Sequence, residues 1–350
     1  MDSRTRVLTA LSGEAPDKVP VALGFSGPDL ASLAPAGEAE RYRVDVRFVS
    51  FRPSPEQEQF ERFVESLPRD TRIGGQALLR TYAEWGYQPD VTEVNPLAQA
   101  RTPADLDAYA WPDTSAPYRY EGMAADVAAY HERGLAVAGN LPHLGGELFE
   151  TGWRLRGFQN WNLDLLERPE LADSLLDRLA AMSSRNAATV AASGVDVLVL
   201  DDDVGMPEHM IISPELWRRF LQPRLARVIA AAREVKPDIR VLYHSDGVIT
   251  PIIGELLAIG VDAINPVQPD RMDGVAIRRA FGTRPALWGT VGTHAALAYG
   301  TPDTIRAEVR RRIQELGRAG LVLAPAYDLD EPDVPWPNLR AFLESAEEFG

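Results

Sequence analysis

From residue 135 to the end, the chain alternates short apolar runs with stretches of helical spacing, and few folds accept that rhythm. The runs fall at 135–138, 195–200, 239–243, 261–264, 286–288 and 321–324. Near-continuous apolar strands separated by helices suit a parallel sheet covered on both faces. Three of the intervening helices open with proline, at Arg168-Pro169-Glu170, Ser213-Pro214-Glu215 and Thr301-Pro302-Asp303. Proline fits the first helical turn, Ser213 and Thr301 supply capping hydroxyls, and the acidic residue favours the positive end of the helix dipole. Ile305, Val309 and Ile313 form one apolar stripe. Pro223 should kink a helix spanning 214–234.

Two earlier strands are expected at 17–25 and 44–49, after a helix over 3–12 that Gly13 stops. Eight strands is the number that closes an α/β (β/α)8 TIM barrel. Residues 50–134 break the rhythm with scattered proline, glycine and aromatics, and with helical pieces near 56–66, 103–109 and 123–133. They read as a long insertion between strands 2 and 3 of one domain over 1–350, because no clean linker flanks them.

A formal charge of −15 argues against nucleic acid or an anionic membrane as partner. With no cysteine, thiolate nucleophiles and thiolate-bound zinc are excluded. The N-terminal residues lack the apolar core of a signal peptide, so a cytoplasmic location is expected. The expected partner is a small molecule.

In parallel barrels the C-terminal rim carries the chemistry. Reading past each strand gives Asn140, His143 and Glu147; then Asp201, Asp202 and Asp203; then His244, Ser245 and Asp246. Asn265 and Gln268 follow, then Thr290, Thr293 and His294, and finally Tyr327 and Asp328. Four of five histidines thus fall near one rim, with His131 in a helical, exposed setting. Asp203, His244, Asp246 and Tyr327 are the catalytic candidates. His143, Glu147, Asp202, Asn265, Gln268 and His294 are the substrate-binding candidates.

Three adjacent carboxylates cannot all enter a dry site ionised. Asp201 or Asp202 could instead cap a helix or meet an arginine, while Val204-Gly205 leaves Asp203 free to face the cleft. Glu147 could be a buried acid held by Arg154 or Arg156. Arg41, Arg43, Arg47 and Arg52 could neutralise a substrate carboxylate. Trp153, Phe158 and Trp161 suit packing or a lid. His244, Asp246 and Asp203 together could hold a divalent metal, zinc first.

Several motifs stand together: Ser3-Arg4-x-Arg6-Val7-Leu8, Glu84-Trp85-Gly86, Trp111-Pro112, Asp202-Asp203-Val204-Gly205, Ile212-Ser213-Pro214-Glu215 and His244-Ser245-Asp246-Gly247. The blocks over 259–268 and 299–302 complete the set. Together they resemble the uroporphyrinogen decarboxylase-like superfamily, which also contains cobalamin-linked methyltransferases. The resemblance implies a (β/α)8 barrel and a homodimer. The family's methyltransferases bind zinc through His-x-Cys and a later Cys, where this chain has His244-x-Asp246 and Ala326-Tyr327. The decarboxylases carry an arginine-rich segment after the first strand, which here reads Gly24-Phe25-Ser26-Gly27-Pro28-Asp29. Uroporphyrinogen itself is therefore not the expected substrate.

Three readings follow. The favoured one is a cofactor-free, decarboxylase-type lyase on a small or medium carboxylated substrate. Asp203 would stabilise a developing cation, and His244 or Tyr327 would deliver a proton. The alternative is a metal-dependent methyltransferase or demethylase, with a corrinoid protein as partner. A non-catalytic tetrapyrrole- or corrinoid-binding barrel is the third.

Overall fold

The computed structural model describes residues 1–26, 29–52, 95–326, 329 and 334–350, without the side chains of 293–295. Its frame is a seven-stranded, all-parallel sheet in the order β1 (Val46–Val49), β2 (Ala136–Gly139), β3 (Val197–Asp201), β4 (Arg240–His244), β5 (Ala263–Asn265), β6 (Ala286–Trp288) and β7 (Leu321–Val322). Its two edges meet through Val21, which bridges Leu323 in parallel and accepts the Asp45 N–H at 2.8 Å just before β1. The strand expected at 17–25 is thus reduced to a bridge, as Pro20 has no N–H to offer a ladder.

Side-chain alternation divides the strands between two cores. Val197, Val199, Leu242, Ala263, Ala286, Trp288 and Val322 pack into one buried cluster with Val7, Ala10 and Leu11 of the first helix, Ser3–Leu11. Their neighbours Leu198, Leu200, Val241, Tyr243, Ile264 and Leu287 pack with the surrounding helices. A period of two places the first set inside the ring and the second outside it.

A repeated device ties the strands at the N-terminal end, and the Ser3–Leu11 helix joins it through Arg4 and Arg6. Asp45, Asp196 and Asp262 stand one residue before β1, β3 and β5, each in a Val-Asp-apolar triplet. Each accepts a backbone N–H from the preceding segment: Val21 at 2.8 Å, Val137 at 3.0 Å and Val241 at 2.9 Å. Arg6 and Arg43 bind Asp45, Arg4 and His131 bind Asp196, and Arg233, Arg240 and Arg284 bind Asp262. His131 is therefore half-buried and paired with Asp196 at 2.9 Å, not exposed as the sequence suggested. This rim carries stability, as expected for the end opposite the chemistry.

The proline-led helices start where expected, at Pro169–Ala192, Pro214–Phe220 and Pro302–Leu316. Ser213 accepts the Leu216 N–H and Thr301 the Thr304 N–H, both at 3.3 Å. Pro223 does more than kink its helix. The helix stops at Phe220 and restarts as Gln222–Val235, where proline in the first turn has no N–H to satisfy. Of the segment read as an insertion, Pro103–Asp107 and Met123–Glu132 are helical. The piece near 56–66 lies outside the described residues. No described helix is long and apolar enough to cross a membrane.

Candidate functional site

Strand register assembles the centre of the site. Asp201 at the end of β3 pairs with His244 at the end of β4, and His244 with Asn265 at the end of β5. All three continue the inward phase of Val199, Leu242 and Ala263, so their side chains share the mouth of the barrel. Asp203, two residues past Asp201, joins them. His244 Nε2 lies 4.0 Å from Asp201 Oδ1 and 3.9 Å from Asp203 Oδ1. The opposite ring nitrogen, Nδ1, is 2.6 Å from Asn265 Oδ1, and the ring stacks on Phe25 at 3.6 Å between centroids.

The loops after β3 and β4 are locked backbone to backbone. A Cβ on Gly205 would come within 2.2 Å of the Asp246 carbonyl oxygen, so only glycine allows the approach. Val248 N–H donates to the Met206 carbonyl at 2.9 Å, and Asp246 N–H to Asp203 Oδ1 at 2.6 Å. Gly205 therefore serves contact between loops rather than freedom of presentation.

Several sequence expectations change here. Asp202 has the opposite phase from its neighbours and turns outward to cap the Phe149–Arg156 helix, accepting the Phe149 and Glu150 N–H groups, each at 2.9 Å. It is a helix cap rather than a substrate ligand. Burial pushes it up to about 7, against the pull of those N–H groups. Gln268 accepts the Gly247 N–H at 3.1 Å and donates to Asp246 Oδ1 at 2.8 Å, so both ends of its amide hold the loop. Asn265 likewise uses its amide on His244 and on the Trp288 carbonyl. Both ends of each amide are thus engaged within the protein.

Asp246 also leaves the metal set proposed for it. Among the described residues, the group able to hold an ion is Asp201, Asp203 and His244, with ligand atoms within 4.8 Å of one another. Asp201 stands where the sequence reading placed Asp246. Two carboxylates and an imidazole suit a divalent ion of zinc type, and three protein ligands leave a position open for chemistry.

Glu147 is buried, with Oε2 accepting the Asp201 N–H at 2.6 Å and Oε1 lacking a protein partner. The two arginines expected to hold it pair elsewhere, Arg154 with Glu150 at 3.1 Å and Arg156 with Asp164 at 2.6 Å. Burial, then the Asp202 charge, pushes Glu147 well above the usual carboxylate range. Burial, then Glu147 and Asp203, does the same to Asp201. A divalent ion would relieve this crowding of acids.

His143 Nδ1 is buried without a partner, and burial, then His244, lowers the imidazole to about 4. It stays neutral beside the acids. The His294 side chain and Tyr327 lie outside the described residues. Arg41 pairs with Glu38, Arg43 with Asp45 and Glu347, and Arg52 with Glu121, while Arg47 donates to the Val44 and Val46 carbonyls. They form no carboxylate-binding cluster. Trp161 is buried against Gly152, and Trp153 packs edge-on between Phe149 and Phe158. These rings are packing around the helix that carries Glu150.

Glu150 was missed in the sequence. Burial, then Asp203, raises it from 4.5 to about 8 despite Arg154. Between those values the folded protein keeps a proton that the unfolded chain has released, so this stabilisation is lost as pH rises through about 8. His143 works oppositely, and only between about 4 and 6.5. Urea unfolding above that window should therefore show stability falling with pH, and Glu150→Gln should flatten the fall by on the order of a few kcal/mol. Equal slopes in both proteins would refute the assignment.

Residues 149–349 match the family model described as Uroporphyrinogen decarboxylase (URO-D). The Methylcobamide:CoM methyltransferase MtaA of Methanosarcina barkeri is 24% identical over 99% of this chain and 98% of its own length. A uroporphyrinogen decarboxylase of Chlorobium luteolum is 25% identical over 53% of this chain and 51% of its own. The solved structure of a methyltransferase from Methanosarcina mazei aligns over 100% of this chain and 99% of that one, with 22% identity and a TM-score of 0.67. That last likeness speaks to the fold. The match to the family model covers more than half of the sequence, and the chain belongs to the uroporphyrinogen decarboxylase (URO-D) family.

Proposed function

We propose that this chain is a metal-dependent methyltransferase that takes a methyl group from a methylated corrinoid. The carrying observation is the group of Asp201, Asp203 and His244, with ligand atoms within 4.8 Å of one another. A divalent ion held by these three side chains would supply Lewis acidity to lower the pKa of an acceptor. The rest falls to the chain. Phe25 covers one face of His244, and Asp203 is steadied by the Asp246 N–H. Neutral His143 leaves an uncommitted, buried ring nitrogen. Support also comes from the relative matching along nearly its whole length, which is named a methyltransferase.

A decarboxylase-type lyase is the second reading. The family model and the uroporphyrinogen decarboxylases among the relatives favour it, as does Glu150, which holds a proton up to about 8 beside Asp203. There Asp203 would stabilise a developing cation and His244 or Tyr327 would deliver the proton.

Zinc-loaded and chelator-treated protein, each given methylcobalamin with CoM as acceptor, separate the readings. Methyl transfer that disappears with the metal is expected. Metal-free protein that releases CO2 from a carboxylated substrate, with no methyl transfer in either form, would replace this reading with the lyase.

A further inference from the structure

We infer that Asn265 is a positioning residue that fixes the tautomer of His244, placing the ring proton on Nδ1 and leaving the Nε2 lone pair directed into the space it shares with Asp201 and Asp203. Donor and acceptor chemistry decides where the proton sits. Asn265 Nδ2 lies 3.3 Å from the Trp288 carbonyl, which can only accept, so the amide nitrogen must face that carbonyl. Its Oδ1 therefore faces His244 Nδ1 at 2.6 Å, and an amide oxygen can only accept. The hydrogen in that contact belongs to the ring.

The surroundings leave the amide little choice. Asn265 is 2% exposed, and its own carbonyl accepts the Ser245 N–H at 2.9 Å, tying β5 to the turn after His244. A Cβ on Gly289 would sit 2.6 Å from Asn265 Nδ2, so the missing side chain makes room for the amide. Phe25, stacked on the imidazole, opposes rotation of the ring. An imidazole in water prefers its proton on Nε2, so a protein that needs a lone pair there must hold the proton on the other nitrogen. A ligating histidine is commonly oriented this way, by a hydrogen bond from its second nitrogen.

This inference deepens the metal-site reading and rests on it for its purpose, but its test does not need the metal. In metal-free protein with 15N-labelled histidine, in alkaline buffer, His244 should show the Nδ1–H form. In Asn265→Ala it should move to the Nε2–H form, and in Asn265→Asp, which keeps an acceptor, it should stay Nδ1–H. Zinc affinity should fall roughly 10- to 100-fold in Asn265→Ala and recover in Asn265→Asp. Should Asn265→Ala fail to fold, the wild-type and Asn265→Asp spectra decide alone. A wild-type ring in the Nε2–H form, an Asn265→Ala ring still Nδ1–H, or an Asn265→Asp ring moved to Nε2–H would each overturn the inference. If the tautomer follows Asn265 but no form of the protein binds zinc, the inference stands and the metal reading falls.

Discussion

His244→Ala should weaken zinc binding by more than about a hundredfold, beyond the upper end of what losing a supporting residue costs. The imidazole is the one nitrogen donor of the group, and its loss leaves Asp203 with Asp201, which burial, then Glu147 and Asp203, already hold toward the protonated state. Asp201→Asn and Asp203→Asn should weaken binding in the same direction. Asp246→Asn should leave affinity within a few-fold of wild type, because that carboxylate lies outside the group and binds Gln268. Calorimetric titration with zinc ranks the four variants. An Asp246→Asn loss equal to that of His244→Ala would return the site to the ligand set expected from His244-x-Asp246.

Asp164→Ala should destabilise the protein by about 3–5 kcal/mol, the range for removing one partner of a buried ion pair. Asp164 and Arg156 are both fully buried, joined at 2.6 Å and 3.3 Å. Arg156 also donates to the Leu97 carbonyl, and Arg168 approaches Asp164 at 2.9 Å. Without Asp164, the Arg156 guanidinium has no carboxylate and no route to water. Replacing both residues by apolar ones of similar volume should cost much less, since burying the pair itself carries a large desolvation penalty. Urea unfolding of the single and double variants measures this. Arg156 ends the Phe149–Arg156 helix, whose first turn holds Glu150 against the site, so Asp164→Ala should also loosen that acid. A loss below about 1 kcal/mol, as for an exposed pair, would contradict this account.

The parallel sheet and its helices were legible because continuous apolar runs, proline-led helices and capping hydroxyls all survive as local signals. The site was legible only in outline. His244 and Asp203 meet as expected, at 3.9 Å. The misplacement of Asp201, Asp202 and Asp246 has a specific cause. Strand period two continues past the last ladder residue of β3, turning Asp201 and Asp203 inward and Asp202 toward a helix N-terminus 53 residues earlier in the chain. That parity was present in Val197-Leu198-Val199-Leu200-Asp201 and could have been counted. Past His244 the alternation ends, because the turn through Ser245 and Asp246 is shaped by Gly205 from another loop, and no local pattern reports such a contact. Asn265 and Gln268 looked like substrate ligands for a similar reason. Their amides are at the rim, but their partners, Trp288, Asp246 and Gly247, come from neighbouring segments. Glu150 gave no signal at all, since its elevation comes from burial.

Anomalous diffraction from zinc-soaked crystals locates the ion. One strong peak per chain is expected, within coordination distance of Asp201, Asp203 and His244 Nε2. A peak ligated through Asp246 or through His244 Nδ1, or an empty mouth in crystals whose zinc lies elsewhere, would contradict this placement.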